Sequence, residues 1–572
     1  MIAPPKLLTD PFIQSPTPDS VRVVWFTEFL GKEHIVNYGN DLSHQVLAQT
    51  TKLSRVREDQ KSRVGKQIED AQIYKKPSIR NVWRHEAQVT NLIPNQKVNY
   101  CVTSIQEDGQ TVTSSVFTLS PAPKPGTPLK ILLTSDHQIK PMVAANLQKV
   151  IETVGQVDAV WFAGDLVNIP DRASEWFDDN RGNAFFPCLQ GCGHYVMEHE
   201  NLKTIYSGGE IIQNAPMFTC IGNHEIMGRY GRKGSITQEF NDTIPREVAL
   251  QLYGNDNESS NLNHETLKHK TSKNKALKNN SFNTDTYEEI FTLPESETGG
   301  KTYYAVSFGD IRLIVLYVTN MWRFPNAENG KKGKYEEPTA DLKQPENWGY
   351  GQHIYEPISE GSTQHNWLIE ELKSTEFKQA KYKVVMFHHP PHTLGDNIVP
   401  PYTDPIQIIE RDRQNNIRKV SYEYPQNADY IIRDVIPLLE SHGVQLVFYG
   451  HSHLWNRFVS PSGMHFLETS NVGNSYGAAY GKKQRKNLPP GDRKKYSENY
   501  IANGDPYGLE PTIPTIKPFL DESKQPLPYI SSNDITVFSI FETATATVSS
   551  YYFDTRKSGT PAIKFDEFRL VG

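Results

Sequence analysis

Five short clusters of polar residues in this chain have the types needed to bind a cation or move a proton. They are Asp136-His137-Gln138, Gly164-Asp165, Gly222-Asn223-His224-Glu225, His388-His389-Pro390-Pro391-His392 and Gly450-His451-Ser452-His453. Carboxylates and amide carbonyls offer oxygen lone pairs; a neutral imidazole offers nitrogen and, near its ordinary pKa, a transferable proton. Taken singly such clusters are ordinary, because Gly-Asn pairs mark turns and loop Asp or His is usually solvated or capping. What sets these apart is position. Each follows an apolar run of strand character, at 129–135, 157–163, 217–221, 383–387 and 444–449. Open sheets gather ligands beyond their strand ends, so five such ends in one chain point to a shared site.

The elements that must position these residues alternate between strand and helix. After 129–135, residues 141–154 carry Val143, Leu147, Val150, Ile151 and Val154 at helical spacing, with Gly155 as a stop. Gly309-Asp310 between two apolar runs, 302–308 and 311–317, is a hairpin signal. Residues 367–372 read as helix and Pro437 opens a short helix closed by Gly443; strands at 534–541 and 544–553 complete the sheets. Mixed parallel and antiparallel strands with outer helices make a layered α/β domain. In front of it, residues 1–125 read as all-β. Residues 20–27 set Val21, Val23 and Trp25 on one face, and two further runs flank Asn91-Leu92-Ile93-Pro94-Asn95. The Pro-rich segment 120–128 reads as a stiff linker, which puts a domain boundary near 125 and a catalytic domain over 126–572. Two stretches interrupt the rhythm: 255–285, rich in Asn, Lys and Ser, and 480–508, with its run of Lys and Arg. Both are expected to be mobile insertions, the second a solvated loop.

Composition excludes several classes. The chain has 572 residues, 37% hydrophobic and 22% charged, with a formal net charge of -6, so nothing global attracts nucleic acid or an anionic membrane. No apolar run could span a bilayer, and the first ten residues lack a signal-peptide core, which makes a cytoplasmic protein the expectation. Four cysteines in so long a chain form no disulfide scaffold. Cys188 and Cys192 could pair or bind a metal, but no second pair at matching spacing accompanies them. The oligomeric state is not legible.

Taken in order, Asp136-x-Gln138, Gly164-Asp165, Gly222-Asn223-His224-Glu225, His388-x-Pro390 and Gly450-His451-Ser452-His453 resemble the motifs of calcineurin-like metallophosphoesterases, from about Lys130 to Gly473. The stretch 89–102 resembles a fibronectin type III-like sandwich, and with it in front the layout is similar to that of purple acid phosphatases. The resemblance implies two packed mixed sheets flanked by helices, behind a β-sandwich. It also implies two metal ions (Fe, Mn or Zn). Asp136, Asp165 and His453 would hold the first, with Gln138 as a further candidate. Asp165, Asn223, His388 and His451 would hold the second, and Asp165 would bridge. Two cations a few ångströms apart need a shared anionic ligand and can activate a water between them. His224 would then be the general acid, or a cation facing the transition state.

This chain departs from the family pattern twice. Gln138 stands where the family usually has His, and Asn168 where purple acid phosphatases have a Tyr ligand. Gln138 still shares a face with Asp136 if the backbone is extended, while His137 points away. The same alternation favours His388 over His389. His389 and His392 could touch phosphate or serve elsewhere; Arg229, Asn320, Trp322 and Arg323 are candidates for the pocket wall or for structure. Glu225 is expected to support its neighbours or start a helix. The expected activity is hydrolysis of a small phosphomonoester by metal-activated hydroxide. A phosphodiesterase, cyclic nucleotides included, is the nearest alternative, and a non-catalytic binding module a more distant one. A nuclease is disfavoured, because the basic segments form no stacking groove.

Overall fold

In the computed structural model, residues 5–67, 73–253, 266–323, 332–397, 401–485 and 503–570 are described. Two sheets carry the site. The first has six strands in the order Met217–Thr219, Ala159–Phe162, Lys130–Thr134, Ile535–Glu542, Thr547–Asp554, Ile563–Arg569. The Met217, Ala159 and Lys130 strands run parallel, so their C-terminal ends share one edge. The second has seven strands: Tyr304–Phe308, Ile311–Val315, Tyr382–Met386, Leu446–Tyr449, His465–Thr469, Trp455–Val459, Tyr529–Ile530. Its Ile311, Tyr382, Leu446 and His465 strands are also parallel. The expected hairpin at Gly309-Asp310 is present.

Side-chain alternation explains the layering. Val384, Met386, Leu446 and Phe448 pack with Leu132, Trp161 and Phe541 of the first sheet in the core between the sheets. Their neighbours Val385, Phe387, Val447 and Tyr449 turn outward under Leu368, Leu372 and Leu439. Those leucines lie on the outer helices Thr363–Lys373 and Ile436–Ser441. This is a mixed α/β sandwich of the kind the sequence leads one to expect.

Besides a two-stranded ladder of Arg57–Glu58 with Ser78–Ile79, the strands before residue 120 form two larger sheets, one of four strands and one of five. Val21, Val23 and Trp25 enter the core between them. The opposite face of the same strand is buried as well: Val24 and Phe26 join the main core, with Phe26 against Phe177 and Phe186 at ring distances of 5.2 and 5.5 Å. The Pro-rich segment is likewise tied down, since Ala122 N–H donates to Thr17 O and Gly126 N–H to Asp310 Oδ1. Buried ion pairs add to this attachment. Arg57 reaches Asp171 (2.9 Å) and Glu239 (2.7 Å), and Arg80 grips Asp178.

Each of the two atypical stretches is described only in part. Within 255–285 a helix spans Thr266–Asn280, and Phe282 and Asn283 are buried beyond it; residues 254–265 lie outside the described residues. Within 480–508, residues 486–502 lie outside them too. Arg485, however, is buried rather than solvated, because its guanidinium caps the carbonyls of Thr393 (2.9 Å) and Gly395 (3.2 Å).

Candidate metal centre and active site

The five clusters meet at the edge where the two sheets converge. Asp136, Asp165 and Asn223 come from the first sheet; His388, His451 and His453 come from the second. All six are buried. His453 Nε2 lies 3.3 Å from Asp136 Oδ1, and His388 Nε2 lies 3.4 Å from Asp165 Oδ1 and 3.2 Å from Asn223 Oδ1. Two groups of potential metal donors result: Asp136, Asp165 and His453, and His388, His389 and His451.

The motif glycines are there for clearance. A Cβ on Gly222 would sit 2.2 Å from Asp165 Oδ1, and one on Gly450 would sit 2.4 Å from Asp136 Oδ2. The carboxylates lie directly against the neighbouring backbone. Asp136 Oδ2 accepts the His451 N–H (2.9 Å), and Asp165 Oδ1 accepts the His224 N–H (2.8 Å).

Several ligand candidates adopt an uncommon backbone conformation. Asp136, Gln138, Asp165, His451 and His453 all have positive φ, a region non-glycine residues enter only when their surroundings enforce it. The extended geometry used to pair Asp136 with Gln138 is therefore absent; a tight turn brings both inward. His137 does point away, its Nε2 2.9 Å from Thr134 Oγ1 and its ring against Phe162. Gln138 donates from Nε2 to Asp165 Oδ2 at 2.7 Å, while its buried Oε1 has no hydrogen-bond partner.

The donor chemistry fits bound cations. His388 Nδ1–H donates to Ala163 O (2.7 Å) and His453 Nδ1–H to Asn474 Oδ1 (2.7 Å), which leaves each Nε2 facing the cluster. Such outward hydrogen bonds fix the tautomer of metal-binding imidazoles. His388 Nε2 then confronts Asn223 Oδ1 and, at 3.1 Å, His451 Nδ1. Acceptors crowded in this way are stable only around positive charge. Asp136 Oδ1 is buried without a hydrogen-bond partner. Burial opposes a charge on His388, yet the Asp165 carboxylate carries the ring up to about 10. Asp165 itself is burdened by burial, but His388 and His224 hold it well below the carboxylate range. Burial, with repulsion from His389 and His388, pushes His451 down.

His224 stands beside this cluster. Its Nδ1–H donates to Asn168 O at 2.6 Å and its Nε2 lies 3.9 Å from Asp165 Oδ2. Burial lowers its pKa, while Asp165 and the Asn168 carbonyl act the other way. Glu225 is buried under the same loop and accepts N–H groups from Asp165 (2.8 Å), Leu166 (2.8 Å) and Gly222 (2.7 Å). Burial and the Asp165 charge raise its pKa.

A cavity of about 200 Å³ opens over these groups, with Asn168, Trp322, Asn397 and Tyr476 among its lining. His389 stacks on His451 at 4.0 Å, and neither ring nitrogen has a hydrogen-bond partner. The other candidates serve structure. Arg229 pairs with Asp242 (2.7 Å), Arg323 caps the carbonyls of Gly351 and Gly349, and Asn320 accepts from Gln352. His392 binds Asp505 at 3.0 Å. Cys188 is buried and Cys192 exposed, and both are free. Asn474 and Tyr476 escaped the sequence reading. They lie 21 and 23 residues past His453, outside every motif, with no neighbouring ligand type to flag them, and Tyr476 packs its ring 4.4 Å from that of His453.

The sequence model of the calcineurin-like phosphoesterase family matches residues 129–454, more than half of the chain, and the chain belongs to that family. It is thus a metallophosphoesterase, a phosphoric ester hydrolase. Among solved structures it is similar to a purple acid phosphatase isolated from yellow lupin (Lupinus luteus) seeds, at 14% identity and a TM-score of 0.51; the match covers 98% of this chain and 73% of that one. The β-rich leader is thus part of the shared layout. A structure of PhoD is 10% identical, with a TM-score of 0.45, covering 100% of this chain and 94% of that one. No curated protein matches by sequence.

Proposed function

We propose that this protein hydrolyses small phosphomonoesters at a dinuclear metal centre. Asp136, Gln138, Asp165 and His453 would hold one ion, and Asp165, Asn223, His388 and His451 would hold the other. The observation that carries this reading is the buried convergence of acidic and imidazole donors from two sheets, with His224 beside them. When bound, two such ions supply Lewis-acid activation of the phosphoryl group and of water.

The chain's own residues do the rest. With Nδ1–H held by Asn168 O, His224 as the imidazolium presents Nε2–H, which can pass its proton to the leaving oxygen or face developing charge. Gln138 anchors the carboxylate of Asp165 through its amide nitrogen. A cavity of about 200 Å³ is smaller than the roughly 300–1,000 Å³ that encloses a drug-sized ligand, so it suits a phosphoryl group with the ester arm reaching outward past Trp322 and Tyr476.

Elemental analysis of protein purified without chelator, combined with turnover of a chromogenic monoester and the matching diester, tests this. Two metal equivalents and faster monoester turnover are expected. Faster diester turnover would make the enzyme a phosphodiesterase, and absence of both metal and hydrolysis would overturn the reading.

A further inference from the structure

The loop Gly450-His451-Ser452-His453 must hold two imidazoles toward one cluster while His451 and His453 both have positive φ, 80° and 56°. Non-glycine residues persist in this strained region only where their surroundings over-determine it. The hydrogen-bond partners of the loop show what does so. Gly450 N–H donates to His388 O, His451 N–H to Asp136 Oδ2 and Leu454 N–H to Ser470 Oγ. The N–H of Ser452, between the two histidines, donates to Glu468 Oε1 at 2.8 Å.

Glu468 is fully buried and is not one of the motif residues. It lies at the end of the His465–Thr469 strand, paired with Tyr449, where the neighbouring strand gives way to the loop. Its other oxygen, Oε2, accepts from Thr393 Oγ1 (2.9 Å) and Asn456 Nδ2 (3.1 Å). Because the Thr393 hydroxyl is committed to Glu468, the contact between Thr393 Oγ1 and Ser452 Oγ (3.0 Å) is one in which Ser452 donates. Ser452 is thereby tied to Glu468 twice, directly through its N–H and through Thr393 by its hydroxyl. The arrangement parallels that of Glu225, which holds the backbone of Asp165 on the opposite sheet.

We infer that Glu468 is a positioning residue of the metal centre: its carboxylate reach fixes the backbone of Ser452, and through it the aim of His451 and His453. This rests on the proposed roles of those two histidines as ligands. A positioning role by reach and a structural role by charge make opposite predictions for two conservative variants. Glu468→Gln loses the charge but keeps an acceptor oxygen at the same distance. Glu468→Asp keeps the charge but withdraws it by one carbon–carbon bond, about 1.5 Å.

The test titrates the full-length, metal-stripped chain with Mn²⁺ against a fluorescent chelator, at a temperature where circular dichroism shows every variant folded. E468D is expected to bind Mn²⁺ about 10–100-fold more weakly, the usual effect of losing a ligand's support, and E468Q within about threefold of wild type. Wild-type affinity in E468D, or greater weakening in E468Q than in E468D, would overturn the inference. His453→Ala is measured alongside. If H453A binds Mn²⁺ like wild type, the ligand reading itself fails; if H453A loses binding while E468D keeps it, only the role of Glu468 fails.

Discussion

Replacing Glu225 with Ala removes the acceptor from three buried N–H groups at once, and the size of the effect can be worked from their geometry. Oε2 takes the N–H groups of Asp165 and Gly222, at 2.8 and 2.7 Å, and Oε1 that of Leu166 at 2.8 Å. A buried donor left without a partner costs about 1–3 kcal/mol. Three together would cost about 3–9 kcal/mol, with water entering the vacated space drawing the result toward the lower end. Removing the carboxylate also relieves its repulsion with Asp165, which together with burial raises its pKa. A loss of about 3–5 kcal/mol is therefore expected for E225A. Glu225→Gln is the informative partner. With its oxygen placed at the Oε2 position it still serves Asp165 and Gly222, and only Leu166 meets a donor, so about 1–3 kcal/mol is expected. Urea unfolding of both variants, followed by tryptophan fluorescence and circular dichroism, measures the difference. A change within about 1 kcal/mol for E225A, or equal losses in the two variants, would refute the view that Glu225 acts by collecting these N–H groups.

Asp165 and His224 should separate by role. Asp165→Ala is expected to strip metal, whereas His224→Ala should keep metal near wild type while turnover falls about 10²–10⁴-fold, the usual contribution of a general acid; equal metal loss in both would refute the division. The leader should confer acid sensitivity through His85. Burial, and then the His34 ring stacked 3.5 Å away, push His85 down to about 2. Between that value and its unfolded pKa near 6.5 the unfolded chain binds a proton that the folded one refuses. Its stabilising neutral state is thus fully favoured above pH 6.5 and stability is lost as pH falls. At pH 5 the loss is about 2 kcal/mol, so the drop in urea stability between pH 7.5 and 5 should shrink by that amount in His85→Gln. An unchanged drop would exclude His85 as the source.

How much of this was legible depended on whether a feature is local. The strand ends could be read because apolar runs and the polar residues after them are adjacent in sequence, and the parallel order then brought Asp136, Asp165 and Asn223 to one edge. The turn geometry was not legible. Asp136, Gln138 and His453 have positive φ, and each is tied to a partner outside its own motif, Asp136 to His451, Gln138 to Asp165 and His453 to Asn474; periodicity cannot register such partners. The run Val23-Val24-Trp25-Phe26 looked like a strand with one buried face. It has two, because the leader rests against Phe177 and Phe186. Arg485 looked like one charge in a solvated run, and only the fold supplies the two carbonyls that bury it.

The division of donors between the sheets has a consequence for how site and fold depend on each other. The first sheet contributes oxygen donors from Asp136, Asp165 and Asn223; the second contributes nitrogen donors from His388, His451 and His453. Neither set suffices alone. The carboxylates need the imidazoles or a cation to offset their burial, and the imidazoles need the carboxylates to orient them. Hydrogen bonds already cross the seam, from His388 to Ala163 O, from His451 N–H to Asp136 and from Thr319 Oγ1 to Ile221 O. Those bonds fix the approach of the two strand edges to within the reach of one side chain. Glu225 on one sheet and Glu468 on the other then hold the loops that face across the seam. The relative placement of the sheets is therefore part of the site, and substitutions in the core between them, such as at Trp161 or Met386, should alter metal affinity without touching a ligand.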